Sequence, residues 1–132
     1  MCFFKFIDFG IMRLYDSKLT EDETHLGTRG YASPEHFGGK GQTDARSDIY
    51  SIGVTMHRLL TGFDPAMSTS LPDIREIDPS LPRYLSDVIK KCTEPDRSKR
   101  FQSCDELKNF LDEKLLYSKQ FHKNISDFFK RK

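Results

Sequence analysis

A carboxylate held where a strand runs into a glycine turn can ligate a hard cation, and the apolar run Cys2 to Ile7 stops at Asp8-Phe9-Gly10. Alone, the tripeptide fits an ordinary turn equally well. Hydroxyl, guanidinium and carboxylate groups gather in Gly27-Thr28-Arg29-Gly30-Tyr31-Ala32-Ser33-Pro34-Glu35. Two later stretches, Ser47-Asp48-Ile49-Tyr50-Ser51-Ile52-Gly53 and Asp96-Arg97-Ser98-Lys99-Arg100-Phe101-Gln102-Ser103, set polar groups at the approach to helical patterns. Other candidates fail on spacing. His25, His36, His57 and His122 make no metal pattern, and Cys2, Cys92 and Cys104 include no C-x-x-C pair. Gly38-Gly39-Lys40-Gly41 lacks the earlier Gly and the following Ser or Thr of a phosphate-binding loop.

The elements that must position these groups follow from periodicity. Residues 2 to 7 predict a short buried strand, and 11 to 45 predict loop with one short helix at Glu35 to Phe37. From Asp48, the apolar positions Ile49, Ile52, Met56 and Leu59, with Val54 and Leu60 beside them, recur at helical spacing until Thr61-Gly62. That predicts a central helix at about 46 to 61, apolar over much of its circumference. Pro65, Pro72 and Pro79 make 63 to 80 an extended connector. Leu81, Leu85, Val88, Ile89 and Cys92 mark a helix at about 81 to 92, with Pro82 in its first turn. Ser103-Cys104-Asp105-Glu106 is a capping box for a helix at about 103 to 116, and Phe121, Ile125, Phe128 and Phe129 predict a helical tail.

Composition bounds the rest. The chain has 132 residues, enough for one modest core, and 21 Lys plus Arg against 20 Asp plus Glu give no field that would draw nucleic acid or an anionic membrane. The basic run Lys119 to Lys132 reads as a solvated helix face. An odd number of cysteines, no disulfide spacing and no apolar run long enough to span a bilayer predict a soluble, cytoplasmic protein.

Taken in order, the four motifs resemble the second half of a eukaryotic-type protein kinase, most like the bacterial serine/threonine kinases, from about Phe3 to about Leu116. The resemblance implies a mainly α fold: a partial large lobe, with the activation segment and the central, penultimate and last helices, and with the small lobe and catalytic loop absent. It implies a division into 1–116, the kinase part, and 117–132, a basic amphipathic tail. By resemblance, Asp8 takes the role of the magnesium-binding aspartate, and Thr28 lies in the loop that receives the substrate residue after the phosphoacceptor. Glu35 and Arg100 match a buried structural pair, and Asp48 matches the helix aspartate that holds the catalytic-loop backbone. Thr20 and Thr24 fall where activating phosphate is placed in many kinases, although Glu21, Asp22 and Glu23 would repel it.

The chain contains no Gly-rich phosphate cover, strand lysine, paired helix glutamate or H-R-D loop; His57-Arg58-Leu59 lacks the aspartate and lies inside the central helix. The parent family uses Mg2+ and ATP, whereas this chain alone is expected to bind neither and to be inactive. The expected partners are a protein substrate or the missing kinase half, with no nucleic acid and no membrane. The alternatives are a non-catalytic helical binding module and one half of a split kinase. An exposed apolar patch is expected where the missing helices would pack.

Overall fold

The computed structural model describes residues 29–36 and 43–130, and side chains as far as residue 117. The predicted strand at 2 to 7, Asp8, Thr20, Thr24 and Thr28 lie outside the described residues. Among the described residues the fold is helical, with α1 at Ala45–Thr61, α2 at Ile74–Ile77, α3 at Arg83–Cys92 and α4 at Cys104–Lys130. Single 3-10 turns stand at Pro34–His36, Pro65–Met67 and Arg97–Lys99.

Local chemistry sets the ends of α1. The Arg46 amide donates to Asp44 Oδ1 at 2.8 Å, and the Asp44 amide donates to Ser47 Oγ at 3.3 Å, a reciprocal cap in which serine takes the place usually held by Glu. At the other end Gly62, left-handed at φ 72°, donates to the Arg58 carbonyl at 2.9 Å.

Three expectations are corrected. The 63–80 connector is not simply extended: Asp64 and Asp73 accept from the Ala66 and Arg75 amides at 3.0 and 2.9 Å, nucleating a 3-10 turn and α2. The carboxylate ahead of each short turn outweighs the breaking effect of the nearby prolines. Pro82 is the residue before α3 rather than part of its first turn. The last helix and the tail are one element, since no Gly or Pro interrupts 104 to 130.

The core is built between α1, α3 and α4. Ile49, Val88, Cys92, Phe101 and Leu107 are buried together, with Met56, Phe110 and Leu111 packed against them. Phe101 and Phe110 meet edge to face at 5.6 Å. Gly53 allows α1 to lie close on α3, because a Cβ there would sit 2.5 Å from Cys92 Cβ. Burial pushes the Cys92 thiol up to about 12, which makes it a packing residue rather than a nucleophile.

α1 is central but not apolar all round. Ile52 is 39% and Leu59 80% exposed, and they share an open face with Ala45, Asp48 and Thr55.

Candidate functional site

Segment 29–36 is docked on α1 by contacts that its sequence makes specific. Gly30 has φ 85°, and a Cβ on it would lie 2.6 Å from the Pro65 carbonyl carbon, so only glycine fits against the 3-10 turn that follows α1. The Ser51 hydroxyl donates to the Tyr31 carbonyl at 3.0 Å. Pro34 opens the next 3-10 turn, and the turn presents Glu35 to the start of α1.

There Glu35 meets Arg100. The Arg100 Nη1 and Nη2 groups donate to Glu35 Oε1 and Oε2 at 2.7 and 2.9 Å, a bidentate pair between residues far apart in the chain. Arg100 is 1% exposed, and its remaining donors reach carbonyls: Nε to Glu94 at 2.7 Å, Nη1 to Arg46 at 3.0 Å and Nη2 to Pro95 at 3.1 Å. All of its N–H groups are therefore used, which is what a buried guanidinium needs in place of water. The Tyr50 ring lies 4.9 Å from the guanidinium carbon, and burial pushes its phenol up.

Burial alone would raise the Glu35 carboxyl, but hydrogen bonds from Arg100 and then from Ser47, at 2.7 Å, outweigh it and hold the group at about 2 instead of 4.5. Around this pair lies a second polar ring. Asp44 chelates Arg46 and sits 3.6 Å from Arg97, and Arg46 reaches the Gln102 amide oxygen at 3.1 Å. The Arg46 hydrogen bond holds the Asp44 carboxyl below its usual range.

Of the residues singled out in the sequence, the structure brings Glu35 and Arg100 together. Asp48 is exposed on α1, and its carboxylate hydrogen-bonds to no other described residue. The supporting shell of Ser47, Tyr50 and three backbone carbonyls went unrecognised. Ser47 carried one signal, since a serine three residues after a capping Asp can close the cap. Backbone acceptors carry none. A shallow cleft of about 240 Å³, lined by Arg29, Gly30 and residues 65–69, opens beside the docked segment.

A segment ending in Ser-Pro-Glu, tied by a buried arginine to the approach of a late helix and laid across a central helix, is the architecture of part of a kinase large lobe. The profile of the protein kinase domain family matches residues 2–116. The chain is 34% identical over 116 residues to the probable serine/threonine-protein kinase PknB of Lactococcus lactis subsp. lactis, covering 78% of this chain and 18% of the relative. It is 31% identical over 134 residues to the serine/threonine-protein kinase PrkC of Bacillus subtilis, covering 89% and 20%. With the serine/threonine-protein kinase pkn2 of Myxococcus xanthus it shares 36% over 126 residues, covering 81% and 15%. No solved structure gives a significant match. The chain belongs to the protein kinase family. It spans about a fifth of the length of these relatives.

The family uses Mg2+ and ATP. Among the described residues no group of three or more His, Cys, Asp or Glu is placed to hold a metal ion. Nor is any helix among them long and apolar enough to cross a membrane.

Proposed function

We propose that this chain supplies the substrate-side part of a serine/threonine protein kinase domain and that, alone, it transfers no phosphate. The observation that carries the reading is the buried Glu35–Arg100 pair, which fastens the end of the activation segment to the helical body. A pair of this kind positions and does not react, because the guanidinium is buried and all of its N–H groups are already engaged.

In this reading residues 1–116 form the kinase part, in which Asp8 is the one magnesium ligand and Thr28 serves the substrate side. Thr20 and Thr24 are the hydroxyls where an activating phosphate would be placed. One carboxylate cannot supply the phosphate grip, the proton acceptor and the positioning on which phosphoryl transfer depends. The chain contains no H-R-D loop and no G-x-G-x-x-G cover to supply them. The partners are a protein substrate and a polypeptide that provides these parts, in the cytoplasm.

The open face of α1, with Ile52 and Leu59 exposed beside Asp48, favours one half of a two-piece kinase over a free-standing binding module. The test is radiolabelled phosphate transfer to a generic basic protein by residues 1–132, by the Asp8→Ala variant, and by 1–132 with a polypeptide carrying the small lobe and an H-R-D loop. No transfer by the first two and recovery in the third is expected. Transfer by the chain alone that disappears in Asp8→Ala would overturn the reading.

A further inference from the structure

α4 outruns the core that holds it. Leu107 is buried and Phe110 and Leu111 pack on the core cluster, but exposure climbs to 44% at Leu115 and 75% at Tyr117 while the helix continues to Lys130. At 1.5 Å per residue, an element of 27 residues is about 40 Å long, so much of it extends past the last core contact.

On that continuation the helical register sorts the residues by chemistry. At about 100° per residue, positions 117, 121, 125, 128 and 129 fall within about 120° of arc, and 119, 123 and 130 fall together on the opposite side. The first set is Tyr117, Phe121, Ile125, Phe128 and Phe129, and the second is Lys119, Lys123 and Lys130. A solvated face accounts for the lysines and leaves the aromatic stripe unexplained.

We propose that the second half of α4 lies in the surface of an anionic lipid bilayer, aromatic stripe toward the acyl boundary and lysines toward the headgroups. Three observations favour this occupant. The stripe is wider than a coiled-coil seam and is made of rings rather than the Leu and Ile that such seams prefer. Between 117 and 132 the charges are Lys119, Lys123, Lys130, Arg131 and Lys132 against Asp127, so a second copy of the same segment would meet like charge. No helix among the described residues is apolar enough to cross, and a high-moment, aromatic, basic helix of low mean hydropathy lies in the interface instead. Near-zero net charge over the whole chain does not oppose this, because the attraction acts within a Debye length of the segment itself.

The experiment is co-sedimentation of the full chain with phosphatidylglycerol–phosphatidylcholine vesicles and with pure phosphatidylcholine vesicles. Binding to the mixed vesicles that falls steeply between about 0.1 and 1 M salt is expected. Replacing Lys119, Lys123 and Lys130 together by Ala should lower partitioning roughly a hundredfold. Phe121→Ser with Phe128→Ser should abolish it, with an unchanged thermal transition showing that the body still folds. The proposal is overturned by no partitioning, by equal partitioning onto both kinds of vesicle, or by partitioning that survives the triple lysine change. It is overturned too by a concentration-dependent dimer, lost in the Phe variants, that leaves vesicles unbound. None of these outcomes depends on phosphate transfer.

Discussion

Arg100→Ala removes a side chain that is 1% exposed and strands every group that it satisfied. The Glu35 carboxylate, 8% exposed, loses two charge-assisted hydrogen bonds, and the carbonyls of Arg46, Glu94 and Pro95 lose one donor each. Breaking a buried ion pair by deleting one member costs about 3 to 5 kcal/mol, mostly as the penalty of the charge left behind. The remaining Ser47 hydroxyl and water entering the vacated space soften this, so the lower end, about 3 kcal/mol, is expected. A domain of this size has about 5 to 15 kcal/mol in total, so the loss is large and still measurable. With a urea slope of about 2 kcal/mol per molar, the unfolding midpoint followed by circular dichroism should fall by roughly 1 to 2 M. If the stranded charge is the cause, Glu35→Gln in the Arg100→Ala background should cost less than it does in the wild type. An unchanged midpoint, or strictly additive losses, would refute the reasoning.

Gly53→Ala should destabilise by about 1 to 3 kcal/mol in the same assay, because its Cβ meets Cys92 Cβ at 2.5 Å and α1 and α3 must part. His57→Leu should cost about 1 to 3 kcal/mol, since the buried His57 Nε2 pairs with the Pro72 carbonyl at 2.8 Å and leucine leaves that acceptor unpaired; thermal melting checks it. The Glu35 carboxyl is lowered by folding from 4.5 to about 2, so its contribution is whole above pH 4.5 and drains away as pH falls toward 2. Glu35→Gln should flatten that acid limb only in part, because Asp73 is also held at about 2, chiefly by Lys90; an unaltered limb would count against the pair. Calorimetry with magnesium and ATP should give no saturable isotherm with the chain alone, and a micromolar one would contradict the proposed division of parts.

Helix ends were legible where one side chain decides them. Thr61-Gly62 closes α1 because glycine accepts a left-handed conformation at little cost, and this needs no knowledge of the tertiary fold. The same local logic, applied to prolines but not to the aspartates before them, missed the 3-10 turn at Pro65–Met67 and α2. Burial around α1 was only half legible, because periodicity shows which positions are apolar and not which neighbours arrive to cover them. Ile49 and Ile52 look alike in sequence, yet one is fully buried and the other is 39% exposed. The Glu35–Arg100 pair was visible only through resemblance, since nothing local to either residue links positions so far apart in the chain. The carbonyls that complete the Arg100 shell come from backbone and have no residue-type signal at all.

That shell explains why the tether stands where it does. Arg100 bonds at once to the 3-10 turn bearing Glu35, to the first turn of α1 through the Arg46 carbonyl, and to the loop before α4 through Glu94 and Pro95. The turn and α1 are also joined by the Ser47–Glu35 hydrogen bond at 2.7 Å, whereas Arg46 with Gln102 is an exposed polar contact that contributes little. The helices α1, α3 and α4 have their own apolar core and do not depend on the pair in the same degree. Segment 29–36 lies outside that cluster and is held to the helical body by the pair together with the Gly30 contact and the Ser47 and Ser51 hydroxyls. Loss of Arg100 should therefore release segment 29–36 before the helices, seen as faster amide exchange at Tyr31 to His36 than at Ile49 to His57. In the proposed kinase part that is the segment beside the peptide, where a displacement of about 1 Å is enough to cost activity. On the proposed reading the pair would act on phosphate transfer through position, while the chemistry would belong to other residues.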